Sequence, residues 1–258
     1  MASPEFEFAI ETNGLTKDYR NLRAVNALDL QVPRGCFYGF LGPNGAGKST
    51  TIKMLTGLLA PTAGDIRLLG IDFAKDALEV KQSVGVVPEE LCLFENLTGR
   101  EYLIFIGRMY GLEIDVVEAR TEELFALLNL DAEDTRIAEF SHGMKKKVAL
   151  SAALIHDPQL LFLDEPFEGI DAITNSVIRE TLARLTARGV TIFLTSHILE
   201  IVEKLCSRVG IIREGKLITE GPMDDLSADG SLESAFIAAV SGPESETTQL
   251  SWLNDSTS

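Results

Sequence analysis

The order of apolar patterns predicts an α/β fold with a helical block set into its middle. Three observations carry that expectation. Residues 36–41 read as a strand, and 160–163 are an unbroken apolar run of the kind buried on both faces of a parallel sheet. The first runs straight into GPNGAGKST, a glycine-rich turn that opens onto a helical pattern. From 89 to 158 the periodicity is helical throughout, after which strand and helix alternate again.

Residues 8–11 and 27–32 read as strands and lead to the run at 36–41. Beyond the glycine-rich turn, 51–59 is periodic enough for a helix, closed by Ala60 and Pro61. Strands follow at 64–69 and Val84–Val87, the second ending at Pro88. Thr98 and Glu101 form a capping box ahead of an apolar face of Leu103, Ile106 and Tyr110. Residues 116–128 are amphipathic, with Val117, Leu124, Leu127 and Leu128 on one side. Ser141 precedes a run containing Val148, Leu150, Ala153 and Leu154. A strand at 160–163, a helix at 176–187, a strand at 190–195 and a helix from Ile198 come next. Residues 209–213 and 216–219 flank Glu214-Gly215, a hairpin signal. One more helix fits Leu232–Val240, and beyond 241 the Ser, Thr and Glu content suits a mobile tail. The main domain is expected over 8–225, with its helical insertion at about 90–157, and the C-terminal helix and tail over 226–258.

Composition narrows the partners. The 258 residues are 45% apolar, which excludes a disordered chain. They carry 39 acids against 23 bases, a net charge of −16. That surface repels a phosphate backbone over most of its area, so no nucleic acid is expected as partner, and docking on anionic lipid through a basic face is disfavoured. Cys36, Cys92 and Cys206 are sparse and odd in number, which suits free thiols in a reducing compartment, each a small apolar side chain in or near the core. MASPEFEF has no basic segment followed by an apolar run, so no secretory signal is visible. No run approaches about 18 apolar residues, and the chain reads as cytosolic.

Two motifs carry chemistry. GPNGAGKS at 42–49 fits G-x-x-x-x-G-K-[ST] and sits after a strand and before a helix, where its mechanism requires it. Asn44, Gly45, Ala46, Gly47 and Thr50 line a loop whose backbone N–H groups curl around phosphates at the positive end of a helix. Lys48 reaches the β- and γ-phosphates of ATP, and the Ser49 hydroxyl ligates Mg²⁺. In LLFLDE at 160–165, an apolar strand delivers Asp164 to its end to hold Mg²⁺ through water. Glu165 is then placed to orient or deprotonate the attacking water.

With FSHGM at 140–144 added to these, the chain resembles the ATP-binding subunits of ABC transporters over about residues 10–221, in particular the bacterial exporter-type branch. That resemblance implies a P-loop NTPase (RecA-like) core, an N-terminal antiparallel β subdomain and an inserted α-helical subdomain. FSHGM looks like the family's signature loop, and Glu168 to Asp171 matches its D-loop. His197 corresponds to the switch histidine, and Tyr19 to an aromatic that stacks on adenine. The resemblance implies that two such subunits, identical or paralogous, meet head to tail around two Mg-ATP. Ser141, His142, Gly143 and Met144 would then serve the partner's nucleotide. It further implies separate membrane-spanning permease subunits that hold the chain on the cytoplasmic face of the membrane. They would insert a short helix between the Glu89 region and the helix after Thr98.

Two positions, His142 and Glu89, depart from the family pattern, and a lysine run follows the first of them. His142 stands where Gly is usual, and either modulates the nucleotide contact or is a solvated loop side chain. Lys145, Lys146 and Lys147 read as a solvated helix face or as a phosphate-binding patch. Glu89 replaces the usual Gln; it would offer Mg²⁺ an anionic oxygen, which a hard cation prefers, or it merely begins the helical block. The alternative to a transport motor is a soluble ABC ATPase remodelling another complex. A regulator without turnover is disfavoured by intact Lys48, Asp164, Glu165 and His197.

Overall fold

The computed structural model describes residues 6–130, 135–227 and 230–240. Two sheets stand at its centre. The smaller is antiparallel: β1 (Phe8–Tyr19), β2 (Leu22–Pro33), β4 (Ala63–Leu68) and β5 (Ile71–Asp72) lie in the order β2-β1-β4-β5. The larger has six strands. In it β3 (Phe37–Leu41), β6 (Val84–Val87), β7 (Leu160–Asp164), β8 (Thr191–Thr195) and β9 (Arg208–Arg213) run parallel. An antiparallel edge strand, β10 (Lys216–Pro222), completes the order β10-β9-β3-β8-β7-β6.

The apolar runs are strands because both faces of the large sheet are covered. Side chains alternate along each strand, so Tyr38, Phe40, Leu160, Phe162 and Phe193 pack toward the antiparallel sheet and α1 (Lys48–Leu55). Phe37, Leu41, Leu161, Leu163, Ile192 and Leu194 face the opposite way. There they meet α5 (His142–Leu154), α6 (Ala172–Ala187) and α7 (Leu199–Leu205). A third apolar cluster, around Leu103, Val117, Phe125 and Val148, belongs to the helical block of α3 (Gly99–Met109), α4 (Ile114–Leu127) and α5. The capping box is present: Glu101 N donates to Thr98 Oγ1 (3.2 Å), and Thr98 N donates to Glu101 Oε2 (2.9 Å). The block's α5 packs on β6 and so is anchored to the strand that leads to Glu89.

Several expectations shift. β1 and β2 run well beyond 8–11 and 27–32, because backbone pairing with a long partner strand carries the polar stretch through Tyr19. Short elements escaped the periodicity: β5, α2 (Ala77–Gln82), a 3₁₀ turn at Ile137–Glu139 and α8 (Met223–Leu226). Leu127 and Tyr110 are exposed, so neither belongs to the buried face expected of it. Tyr110 instead stacks on His156, centroids 3.7 Å apart. Cys36 and Cys206 are buried, but Cys92 is exposed and is not a core residue. The final helix, α9 (Leu232–Val240), coincides with its expected span and buries Leu232; the expected tail from 241 lies outside the described residues.

Candidate functional site

Parallel register brings the chemistry to one edge. Phe40 and Asp164 each pair with Thr195, and Val87 pairs with Leu163, so β3, β6, β7 and β8 end side by side. Their carboxyl ends carry the glycine-rich loop, Glu89, the Asp164-Glu165 pair and His197, the usual place for a ligand in an open α/β sheet.

The loop turns from β3 into α1 through Gly47, the cap of that helix, at φ 110°. A side chain is excluded there, since a Cβ would lie 2.5 Å from the Ala24 carbonyl oxygen. No side chain caps α1 and its first turn holds no acid, so its leading N–H groups form an anion-binding terminus. The buried Lys48 side chain folds back, and Nζ donates to the carbonyls of Gly42 (2.6 Å) and Pro43 (3.4 Å). Ala46 packs in the core and fixes the loop's floor, while Asn44 and Gly45 are exposed at its rim. Thr50 is half-buried, and Ser49 Oγ donates to Glu89 Oε2 at 3.4 Å. Glu89 is therefore aimed at Ser49, although its side chain is exposed.

Asp164 is buried and accepts from Thr195 Oγ1. Glu165 follows at φ 48°, a left-handed conformation that costs a non-glycine residue on the order of 1–2 kcal/mol. Its amide donates to the Thr195 carbonyl (3.2 Å), and its Oε2 meets His197 Nδ1 (3.0 Å) and the His197 amide (3.3 Å). The side chain of Glu165 is thereby directed rather than free.

A second cluster gathers at the N-terminus of α5. Ser141 caps α5, its Oγ accepting from Met144 N at 3.3 Å, and Met144 packs into the helical block. A Cβ on Gly169 would lie 3.0 Å from His142, and one on Gly143 would lie 3.8 Å from Asp171. His142 and Gly143 thus rest against the loop before α6. Asp171 caps that helix, accepting from Ile173 N, Thr174 N and Thr174 Oγ1. The Thr174 bonds, backbone first, hold its carboxyl below the usual range. Tyr19 stands exposed at the end of β1, with Lys17 Nζ 5.5 Å from its ring centroid.

The lysine run is not a solvated face. Lys145 pairs with Glu95 at 2.6 Å, and Lys147 donates to the Asn129 carbonyl. Lys146 is buried and donates to the Glu165 carbonyl at 2.9 Å. Burial pushes its pKa down, against the carboxylates of Glu168, Asp164, Glu165 and Glu89 that favour its charge. Successive helix residues point about 100° apart, so one of three lysines can turn inward while its neighbours stay out. Thr195 braces both acids, bonding to Asp164 through its hydroxyl and to the Glu165 amide through its carbonyl. Its only sequence signal is its place before Ser196-His197 at a strand end.

Comparison with known proteins agrees with this architecture. A family model described as ABC transporter matches residues 25–168. The linearmycin resistance ATP-binding protein LnrL of Bacillus subtilis is 38% identical over 234 residues, covering 90% of this chain and 75% of the relative. The bacitracin transport ATP-binding protein BcrA of Bacillus licheniformis is 41% identical over 219 residues, covering 84% of this chain and 71% of the relative. A solved ATP-binding subunit of an ABC transporter superposes with a TM-score of 0.84 at 31% identity, covering 90% of this chain and 99% of that one.

Proposed function

The chain belongs to the ABC transporter family, and from that premise we propose that it powers export through separate membrane-spanning subunits. It is an ATPase, with ATP as substrate and Mg²⁺ as metal cofactor. The donors near the loop suit that ion: the Ser49 hydroxyl and the carboxylates of Glu89 and Asp164 are all hard oxygens. They would hold it, and when bound it would neutralise charge on the phosphates.

In this reading Lys48 exchanges its two carbonyl partners for the β- and γ-phosphate oxygens. Glu165 accepts a proton from water as the water oxygen attacks the γ-phosphorus, and the bond to the bridging oxygen breaks to release ADP and phosphate. His197 keeps the Glu165 carboxylate turned toward that water. Asn44 to Thr50 cradle the phosphates and Tyr19 stacks on adenine. The half-site of Ser141, His142, Gly143 and Met144, with Asp171 beside it, completes a second copy's site when two chains meet head to tail.

The observation that carries this reading is the Glu165–His197 contact, at the same sheet edge as Lys48 and Ser49. Export is supported by the relatives' names, which speak of linearmycin resistance in one and bacitracin transport in the other. Among the described residues no helix is long and apolar enough to cross a membrane. In this reading the family's arrangement holds the chain on the cytoplasmic face through a permease. A groove of about 210 Å³ between the Pro88 segment and α3, lined by Val86, Pro88, Leu91, Leu93, Tyr102 and Ile106, would take a short permease helix. We propose an ATPase domain over 8–225 with the helical part at about 90–157, and a C-terminal element from 226.

Glu165→Gln tests the reading. It should lower hydrolysis by about 10²- to 10⁴-fold while ATP binding survives, so that light scattering detects ATP-dependent dimers. A variant that hydrolyses ATP at the wild-type rate would overturn it. Cross-linking from the exposed Cys92 in membranes should capture a multi-span protein; capture of soluble assembly factors alone would remove the permease.

A further inference from the structure

Lys146 lies on α5, the helix capped by Ser141, and its side chain is 3% exposed. Its ammonium reaches out of the helical block to the main-chain carbonyl of Glu165 at 2.9 Å. Glu165 needs such ties, because its left-handed backbone at φ 48° is not one that glutamate adopts unaided. Its amide is held by Thr195 and its carboxylate by His197, both at the end of β8. Its carbonyl is held by Lys146, from a different body of the fold.

We infer that Lys146 is a positioning residue that fixes the backbone of Glu165, so that the direction of its carboxylate depends on where α5 stands. The inference rests on the reading above in one respect, that Glu165 activates water. Lysine suits the task twice over. Its long stem spans from α5 to the end of β7, and its charge faces Glu168, Asp164, Glu165 and Glu89, which hold the head group at the carbonyl. The same helix carries Ser141 at its N-terminus. A displacement of α5 against β7 would therefore alter the half-site at one end and loosen Glu165 from the other, linking hydrolysis to the position of the helical block.

The experiment compares Lys146→Met, Lys146→Gln and Lys146→Arg in the full chain by steady-state ATPase kinetics, ATP binding and thermal unfolding. Lys146→Met should lower kcat by about 10- to 100-fold, the loss that a misplacement near 1 Å brings, with KM for ATP unchanged. Lys146→Arg, which keeps donor and charge, should recover most of the rate. Lys146→Gln, which keeps a donor without charge, should fall between them. In a Glu165→Gln background Lys146→Met should cost nothing further, since its effect passes through Glu165. Wild-type kcat in Lys146→Met would overturn the inference. So would a loss of ATP binding and of Tm in step with kcat, unrescued by arginine. If Lys146→Met does not fold, the kcat-against-KM split in Lys146→Gln and the rescue by Lys146→Arg decide the same question. Glu165→Gln alone separates the two readings: if it stays active, water activation by Glu165 falls. If it is inactive while Lys146→Met is fully active, only the role of Lys146 falls.

Discussion

Two helix N-termini, those of α1 and α5, are built in opposite ways. Gly47 caps α1 with backbone alone at φ 110°, and the cap is wedged against Ala24 and the core. Ser141 caps α5 with its hydroxyl in an extended conformation, on a helix that belongs to the inserted block. Neither first turn holds an acid, so both termini favour an anion. At α1 the cation is Lys48, which stands among the carboxylates of Glu89, Asp164 and Glu165 at the sheet edge, whereas the lysines of α5 are engaged by Glu95 and by the carbonyls of Glu165 and Asn129. In the proposed reading the first terminus is most of a site, and the second is a lid that completes the site of another copy.

Substitutions should separate the halves. The largest effect is expected from Lys48→Ala, which removes the charged donor of the complete half: hydrolysis should fall by about 10²- to 10³-fold, with ATP affinity reduced in the isolated chain. Retained affinity would contradict the asymmetry. Ser141→Arg should depress hydrolysis by about as much, because it blocks the lid, yet leave ATP binding to the same chain intact. Equal loss of binding in a monomeric preparation would mean that Ser141 serves its own nucleotide. A smaller change is expected for Glu89→Gln, which should raise the Mg²⁺ concentration for half-maximal activity severalfold at saturating ATP. An unchanged midpoint would show that the 3.4 Å contact with Ser49 has no bearing on the metal. Smallest is Thr98→Ala, which removes the capping box of α3 and should cost about 1 kcal/mol in stability without touching ATP binding.

How far each half could be read from sequence follows the same divide. The P-loop, Asp164 and Glu165 are legible because strand, turn and helix succeed one another along the chain, and local rules fix them. β6 and α9 coincide with their expected spans for that reason, as does the capping box at Thr98. Lys146 and Thr195 were not legible, because their bonds to Glu165 and Asp164 join residues that only sheet register and helix packing bring together. The lysine run shows the limit plainly: three identical side chains in a row have three different environments, and composition cannot tell which one is buried. β5 and α2 were missed for a different reason, being too short to establish a period.

The joining of two half-sites can be measured by mixing two crippled chains. Lys48→Ala spoils the P-loop half and keeps an intact Ser141 half; Ser141→Arg does the reverse. Each alone should be nearly inactive. A heterodimer of the two contains one site assembled wholly from intact halves, so an equimolar mixture should recover roughly a quarter of wild-type ATPase activity if pairing is random and sites are independent. A mixture no more active than its components, under conditions where light scattering shows that they dimerise, would contradict the account.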